Sequence, residues 1–262
     1  MPNIEIGLSM LFCLSEPFTS LLKRLENINV HYVELMDEGL HTLNGTRVKK
    51  LREIAEAHNI EFMVHSPFAD INIATPNPVL QKTIWKRLET SMMHASQLQS
   101  RLWVFHPGLK TAVTPFYPGS DWKLNMDSVR QLQEMAEKHG VEIAIENVPE
   151  PFPFILKSVK DFTRFFDELD DDLHLVLDVG HANINQQIQA FITTFSDKIA
   201  HVHASDNKGD YDAHLGIGDG TVDWTEVAKA LRSVGYRGAV IMESVRNVTQ
   251  SLRRLRKIFT QH

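Results

Sequence analysis

Short apolar segments alternate with amphipathic ones along this chain, and the alternation repeats eight times. The apolar segments are Glu5–Met10, His31–Met36, Ile60–His65, Leu102–His106, Glu142–Asn147, His174–Asp178, Ile199–Ala204 and Ala239–Ser244. Most are rich in Val, Ile and Leu, as strands covered on both faces must be. Between them apolar residues recur at helical spacing, as in Leu51-Arg52-Glu53-Ile54-Ala55-Glu56-Ala57 and in Val129–Ala136. Eight strand–helix units in strict order predict a parallel sheet. A closed (β/α)8 barrel, which uses ~250 residues, matches a chain of 262. An open doubly wound sheet is the alternative, and it accounts less well for the count of eight.

Local punctuation fits the same plan. Gly140 after His139 reads as a helix stop. Asn77-Pro78 reads as an N-cap followed by proline at the first helical position. Asp223-Trp224-Thr225-Glu226 and Asn247-Val248-Thr249-Gln250 both read as capping boxes. No linker, repeat of low complexity or charge block divides the chain, so residues 1–262 are expected to form a single domain. The longest irregular pieces, Ser66–Asn77, Pro107–Asp121 and Ser205–Val222, all follow strands. That is the face where barrels place their chemistry.

Composition narrows the class of protein. Hydrophobic residues make up 43% and charged residues 23%, which favours a large core over disorder. The net charge of −6 gives no overall basic footprint for nucleic acid, although a local basic groove is compatible with it. The one cysteine, Cys13, has no internal partner, which fits a reducing compartment. The first residues lack the charged-then-apolar pattern of a signal peptide, and no apolar run reaches the ~20 residues of a membrane span. The expectation is a cytoplasmic protein without membrane partners.

The strand ends carry the chemistry. Strand three ends in His65, strand four in His106, strand five in Glu146 and strand six in Asp178, with His181 three residues on. Strand seven carries His203, its following loop carries Asp212 and His214, and strand eight carries Glu243. Barrel strands ring a small mouth, so these side chains should converge. Carboxylates are seldom buried without a partner, yet Glu146, Asp178 and Glu243 each close an apolar strand. With His203 they form a four-ligand set for a divalent cation. Mixed imidazole and carboxylate donors suit Zn2+, Mn2+ or Fe2+ better than Ca2+.

The other histidines, His31, His41, His58, His94, His139, His174, His201 and His262, read as surface or packing residues. His201 lies two residues before His203, so it faces the same side but deeper, as a hydrogen-bonded interior histidine. Several residues carry two readings. Glu34 in strand two is either a substrate contact or a rim charge. Leu215-Gly216-Ile217-Gly218-Asp219-Gly220 either brings backbone N–H groups to a substrate oxygen or phosphate, or is a tight turn into the helix capped by Asp223. Lys208 meets a phosphate or is solvated. Phe68, Trp122 and Phe154 wall a substrate pocket or pack a lid.

The motif set resembles one known group. His65-Ser66-Pro67-Phe68, Phe105-His106-Pro107-Gly108, Ile145-Glu146-Asn147, Leu177-Asp178-Val179-Gly180-His181, His201-Val202-His203-Ala204-Ser205-Asp206, His214–Gly220 and Met242-Glu243-Ser244 resemble the xylose isomerase-like TIM barrel superfamily. The resemblance runs from about residue 4 to residue 245. It implies sugar or sugar-phosphate isomerases and epimerases, or endonuclease IV (AP endonuclease family 2), a metal-dependent abasic-site nuclease. In the ketose 3-epimerase branch it makes Glu146, Asp178, His203 and Glu243 the metal ligands, with Glu146 and Glu243 moving the proton. In the nuclease branch it makes His65, His106, Glu146, Asp178, His181, His203, Asp212, His214 and Glu243 ligands to up to three zinc ions. After His65, however, the chain lacks the Tyr-Leu pair that the nuclease inserts into DNA. Val179-Gly180-His181-Ala182-Asn183 also lacks the nuclease's cysteine.

The leading expectation is therefore a metal-dependent isomerase or epimerase of a small sugar or sugar phosphate. One glutamate removes a proton beside a metal-chelated carbonyl and the other returns one. The metal is Mn2+ or Zn2+, with Fe2+ or Co2+ as alternatives, one to three per chain. The alternative is a zinc-dependent abasic-site phosphodiesterase, with DNA as a partner under that reading alone. A binding protein without turnover is the third reading, and two retained glutamates argue against it.

Overall fold

The structure is a computed structural model, and it describes residues 4–169 and 172–260. Eight parallel strands close into a barrel in sequence order, which removes the open-sheet alternative. They are β1 (Glu5–Ser9), β2 (Tyr32–Met36), β3 (Glu61–His65), β4 (Trp103–Phe105), β5 (Ile143–Glu146), β6 (His174–Asp178), β7 (Ile199–Ala204) and β8 (Ala239–Met242). The helices are α1 (Phe18–Leu25), α2 (Gly45–His58), α3 (Pro78–Gln97), α4 (Ser120–His139), α5 (Val159–Glu168), α6 (Val179–Ile184), α7 (Ile188–Thr194), α8 (Trp224–Ser233) and α9 (Val248–Thr260). Several strands are shorter than the sequence suggests. His106 and Glu243 stand one residue past β4 and β8, where the strand ladder gives way to the rim.

Helix ends follow their capping chemistry. Asn77 Oδ1 accepts from the amides of Val79 and Leu80 with Pro78 at the first position of α3. Gly140 ends α4 with φ +63, a conformation that costs glycine little. Asp223 caps α8 from one side only, accepting from Thr225 N and Glu226 N. Asn247 is a correction. It has φ +54, and its side chain donates to Asp219 Oδ2 at 2.8 Å instead of capping α9. The reciprocal capping box occurs at Ser158 and Asp161, ahead of α5.

Two apolar layers hold the barrel. Large residues such as Trp103, Phe105, Phe162, Phe165 and Phe191 pack between strands and helices. Inside, Met63, Leu102, Val104, Ala144, Val176, Ala239 and Ile241 form a separate cluster. Strand side chains alternate with period two. Thus Met63, Val104, Ala144, Val176 and Ile241 lie one layer below His65, His106, Glu146, Asp178 and Glu243. The inner core is the platform on which the polar rim stands. Among the described residues no helix is long and apolar enough to cross a membrane.

Candidate metal centre

The rim residues converge as the strand ends require. Glu146 Oε1 lies 2.9 Å from His203 Nδ1. The same nitrogen is 3.5 Å from Glu243 Oε2 and 4.0 Å from Asp178 Oδ2. One ligand atom from each of Glu146, Asp178, His203 and Glu243 falls within a 4.8 Å group, and all four residues are buried. Three further groups adjoin it: His65, His106 and Glu146; His181, Asp212 and His214; and, beneath it, Glu34, His201 and His203. Glu146 Oε2 joins the first, at 3.0 Å from His106 Nε2 and 3.3 Å from His65 Nε2. Asp212 Oδ2 joins the second, at 3.2 Å from His181 Nε2 and 3.0 Å from His214 Nε2.

The local sequence explains the rigidity of this arrangement. Asn147 Oδ1 accepts from Asp178 N at 2.8 Å and its Nδ2 donates to Asp178 O at 3.0 Å, clamping the ends of β5 and β6 together. Asp178 Oδ1 accepts from His181 N at 2.6 Å and so caps α6. That bond turns His181 back toward the rim.

The donor set fits a cation. His65 Nδ1 is committed to the carbonyl of Ser66 at 2.9 Å, and His181 Nδ1 to the carbonyl of Asn147 at 2.8 Å. Each ring thereby spends its N–H, and a neutral ring turns a bare lone pair on Nε2 toward a carboxylate. Asp178 Oδ2, Glu243 Oε1 and Asp212 Oδ1 are buried without a hydrogen-bond partner. Buried polar atoms are nearly always satisfied; a cation held by the inner four residues would satisfy Asp178 and Glu243, and one held by His181, Asp212 and His214 would satisfy Asp212.

Charge balance leads the same way. Burial raises the carboxyl of Asp178 to about 6. Burial opposes charge on Glu146 as well, but His203, His106 and His65 outweigh it and hold that carboxyl well below the usual range. At His181 burial is again outweighed, here by Asp178 and Asp212, and the imidazole rises to about 10. The carboxylates thus draw positive charge onto His65, His181, His203 and His214, the role a divalent ion would take over when bound.

A cavity of about 310 Å³ opens above these groups. His65, His106, Glu146, His181, Asp212, His214 and Glu243 form its floor, and Leu11, Met36, Phe68, Val148, Pro149, Phe152 and Phe154 form its walls. Phe68 stands edge-on to His65 at 5.4 Å between ring centroids, and Phe154 edge-on to His106 at 5.8 Å. No lysine or arginine among the described residues lines it.

Glu34 and Trp122 depart from the sequence expectation, and the open reading of Lys208 is decided. Glu34 is neither a rim charge nor a cavity residue: it is fully buried beneath His203, and its Oε2 lies 3.1 Å from His203 Nε2. Lys208 is exposed and outside the cavity lining, so it is solvated. Trp122 is also outside, donating to Glu168 Oε2 at 2.6 Å beneath the Arg164 guanidinium. Phe68 and Phe154 do wall the cavity, and His201 is the interior histidine its position suggests. His262 lies outside the described residues.

The glycine-rich loop is the tight turn. Asp206 accepts from Asn207 N and Gly218 N, both at 2.9 Å, and from Val222 N at 3.2 Å, while Asp219 N donates to Gly216 O. Those amides are therefore engaged within the protein. Sequence reading missed Asp206, and it also missed Glu38. Glu38 Oε2 accepts from the amides of Phe68 and Ala69 at 3.0 Å each, tying the loop after β2 to the loop that carries Phe68. Both acids lie in polar loops, where nothing in the sequence separates an anchor from a solvated charge.

Residues 22–258 match the family described as Xylose isomerase-like TIM barrel. The chain belongs to this family. Among its xylose isomerase-like relatives is an uncharacterized protein of Methanocaldococcus jannaschii, 29% identical over 246 residues, which span 92% of this chain and 84% of that one. The D-psicose 3-epimerase of Ruminiclostridium cellulolyticum is 24% identical over 232 residues, 85% of this chain and 76% of the epimerase. The crystal structure of a D-tagatose 3-epimerase-like protein superposes with a TM-score of 0.90 at 28% identity, covering 97% of each chain. Named sugar epimerases thus recur among the family members this chain is similar to.

Proposed function

We propose that this chain is a divalent-metal-dependent epimerase or isomerase of a small, unphosphorylated sugar, with Glu146 and Glu243 as the proton-transferring pair. The observation that carries this reading is their geometry. Both line the cavity, and they reach His203 Nδ1 from β5 and β8, three strands apart around the ring. A substrate carbon held between them has one carboxylate near each face. One glutamate takes the proton from that carbon and the other delivers a proton to the opposite face. A divalent ion held by Glu146, Asp178, His203 and Glu243 would polarise the neighbouring carbonyl and acidify that C–H bond.

The absence of phosphate rests on the cavity walls. A phosphate ester brings about two negative charges. Three carboxylates and four histidines share the cavity floor, and its walls offer no lysine or arginine. Of the loop amides, those of Gly218 and Val222 are held by Asp206. The apolar walls suit the C–H faces of a sugar ring or chain.

A second reading draws on the two outer groups, His65/His106/Glu146 and His181/Asp212/His214. With the inner four donors they favour a cluster of metals and a phosphodiesterase acting on abasic DNA. Elemental analysis of protein purified without added metal or chelator separates the two. About one ion per chain, with epimerisation of free ketoses such as D-psicose and D-tagatose and uptake of solvent deuterium, supports the epimerase. Two or three zinc ions per chain, with cleavage of an abasic duplex and no ketose turnover, overturns it.

A further inference from the structure

Two polar residues interrupt the apolar layer inside the barrel. Below the other rim groups that layer holds Met63, Val104, Ala144, Val176 and Ile241, whereas below His203 it holds His201, and across the barrel Glu34 from β2. Glu34 has no exposed surface and does not line the cavity, so no ligand there touches it. Its Oε2 lies 3.1 Å from His203 Nε2 in hydrogen-bond alignment. His201 Nε2 is also 3.1 Å away but off the hydrogen-bond direction, and Glu34 Oε1 has no partner.

Stability does not account for this carboxylate. A buried charge is costly to desolvate, and an apolar residue of similar volume in its place is often neutral or stabilising. Its effect on His203 does account for it. A neutral imidazole carries one N–H, and its other nitrogen carries the lone pair. An ionised carboxylate only accepts, so Glu34 captures the N–H on Nε2. The lone pair is then on Nδ1, the nitrogen that faces Glu146, Asp178 and Glu243.

We propose that Glu34 is a positioning residue for metal binding: it fixes His203 in the Nε2–H tautomer and aims Nδ1 as a ligand into the carboxylate group. This inference rests on the metal-centre reading above. His201, edge-on to His203 at 4.8 Å between ring centroids, packs the pair in place from below.

The test is calorimetric titration of Mn2+ alone into the metal-free protein and into its Glu34→Met variant, which removes the acceptor at similar volume, with the apo melting temperature measured for both. Outer partners of ligating histidines are worth about 10- to 100-fold in metal affinity, so the variant is expected to bind that much more weakly. Its apo melting temperature should be unchanged or raised. A variant that binds Mn2+ within about two-fold of wild type overturns the inference. A wild-type protein that takes up no Mn2+ overturns the metal-centre reading itself, so the two failures are distinct. Should the variant not fold, long-range 15N–1H NMR of the wild type loaded with Zn2+ decides. A proton retained on Nε2 of His203 with Nδ1 ligated supports the inference, and the reverse pattern refutes it.

Discussion

Glu146 and Glu243 approach a single atom, His203 Nδ1, at 2.9 and 3.5 Å from strands on different sides of the barrel. Their surroundings differ. Glu146 is held by His65, His106 and His203, while Glu243 Oε1 is buried with no partner. If both move protons, Glu146→Gln and Glu243→Gln should each lower kcat by about 10²- to 10⁴-fold with unchanged far-UV circular dichroism. Ketose epimerisation followed by chromatography checks this, and either variant keeping near-wild-type turnover removes that glutamate from the mechanism.

Chelation should destabilise the protein without unfolding it. A ligand present at about 100 times its Kd contributes about 2.7 kcal/mol. For a chain of this size 1 kcal/mol corresponds to about 2–4 °C. Dialysis against EDTA is expected to lower Tm by about 5–10 °C, with recovery on adding Mn2+ or Zn2+. Scanning calorimetry before and after dialysis reads the shift, and an identical Tm counts against a resident ion.

Cys13 gives a pH prediction with a definite sign. It is fully buried and its Sγ donates to Met10 O at 3.2 Å; burial, with Glu16 adding to it, pushes the thiol up to about 11. Because the pKa is raised, the unreactive thiol persists at neutral and mildly alkaline pH, and the thiolate appears only as pH approaches that value. Native protein at pH 8 should therefore resist a disulfide exchange reagent, whereas unfolding in guanidinium should release one thiol per chain. Rapid native labelling would show that this region opens freely.

Glu38 reaches the cavity only through Phe68. Glu38→Ala frees the amides of Phe68 and Ala69 and loosens the aromatic wall. Under the proposed function Phe68 would touch ligand and not the moving proton, so KM should rise about ten-fold, ~1.4 kcal/mol, with kcat little changed. A fall in kcat with constant KM would place Glu38 elsewhere in the reaction.

Asp206 anchors the loop between β7 and α8. Asp206→Ala leaves the amides of Gly218 and Val222 without their acceptor in a partly buried loop. Each unpaired buried group costs about 1–3 kcal/mol, so urea unfolding should shift by ~2–4 kcal/mol. The shift is read as a lower midpoint at constant slope. A variant as stable as wild type would mean that water replaces the carboxylate.

The barrel was legible because its signal is repeated: eight apolar strands, each with its helix, leave few topologies. The inner four donors were legible because a carboxylate closing an apolar strand is conspicuous. Glu34 sits inside its apolar strand, two residues short of the end of β2, and so lies at another depth. Its strand enters the barrel with Glu34 beside Met63 in the ladder, one layer beneath the rim, and register between strands is not written in either strand alone. Phe152, Val148 and Pro149 went unread because cavity walls built from loops have no period. Trp122 was misplaced for a related reason. Proximity to a rim loop in sequence does not fix direction, and the first turn of α4 points it toward Glu168.

Gly180 and Gly220 have no room for a single added carbon. A Cβ on Gly180 would lie 2.6 Å from Ser205 Oγ, and one on Gly220 would collide with the carbonyl of Asn207. Asn207, between them, donates to Gly180 O at 2.7 Å. Both positions are thus closed to any larger side chain. The loops after β4 and β5 expose Val113, Phe116, Tyr117 and Phe152 to solvent. A lineage carrying this barrel can reshape the opening by rewriting those two loops while the buried donor group stays untouched, so divergence should accumulate on one side of the opening.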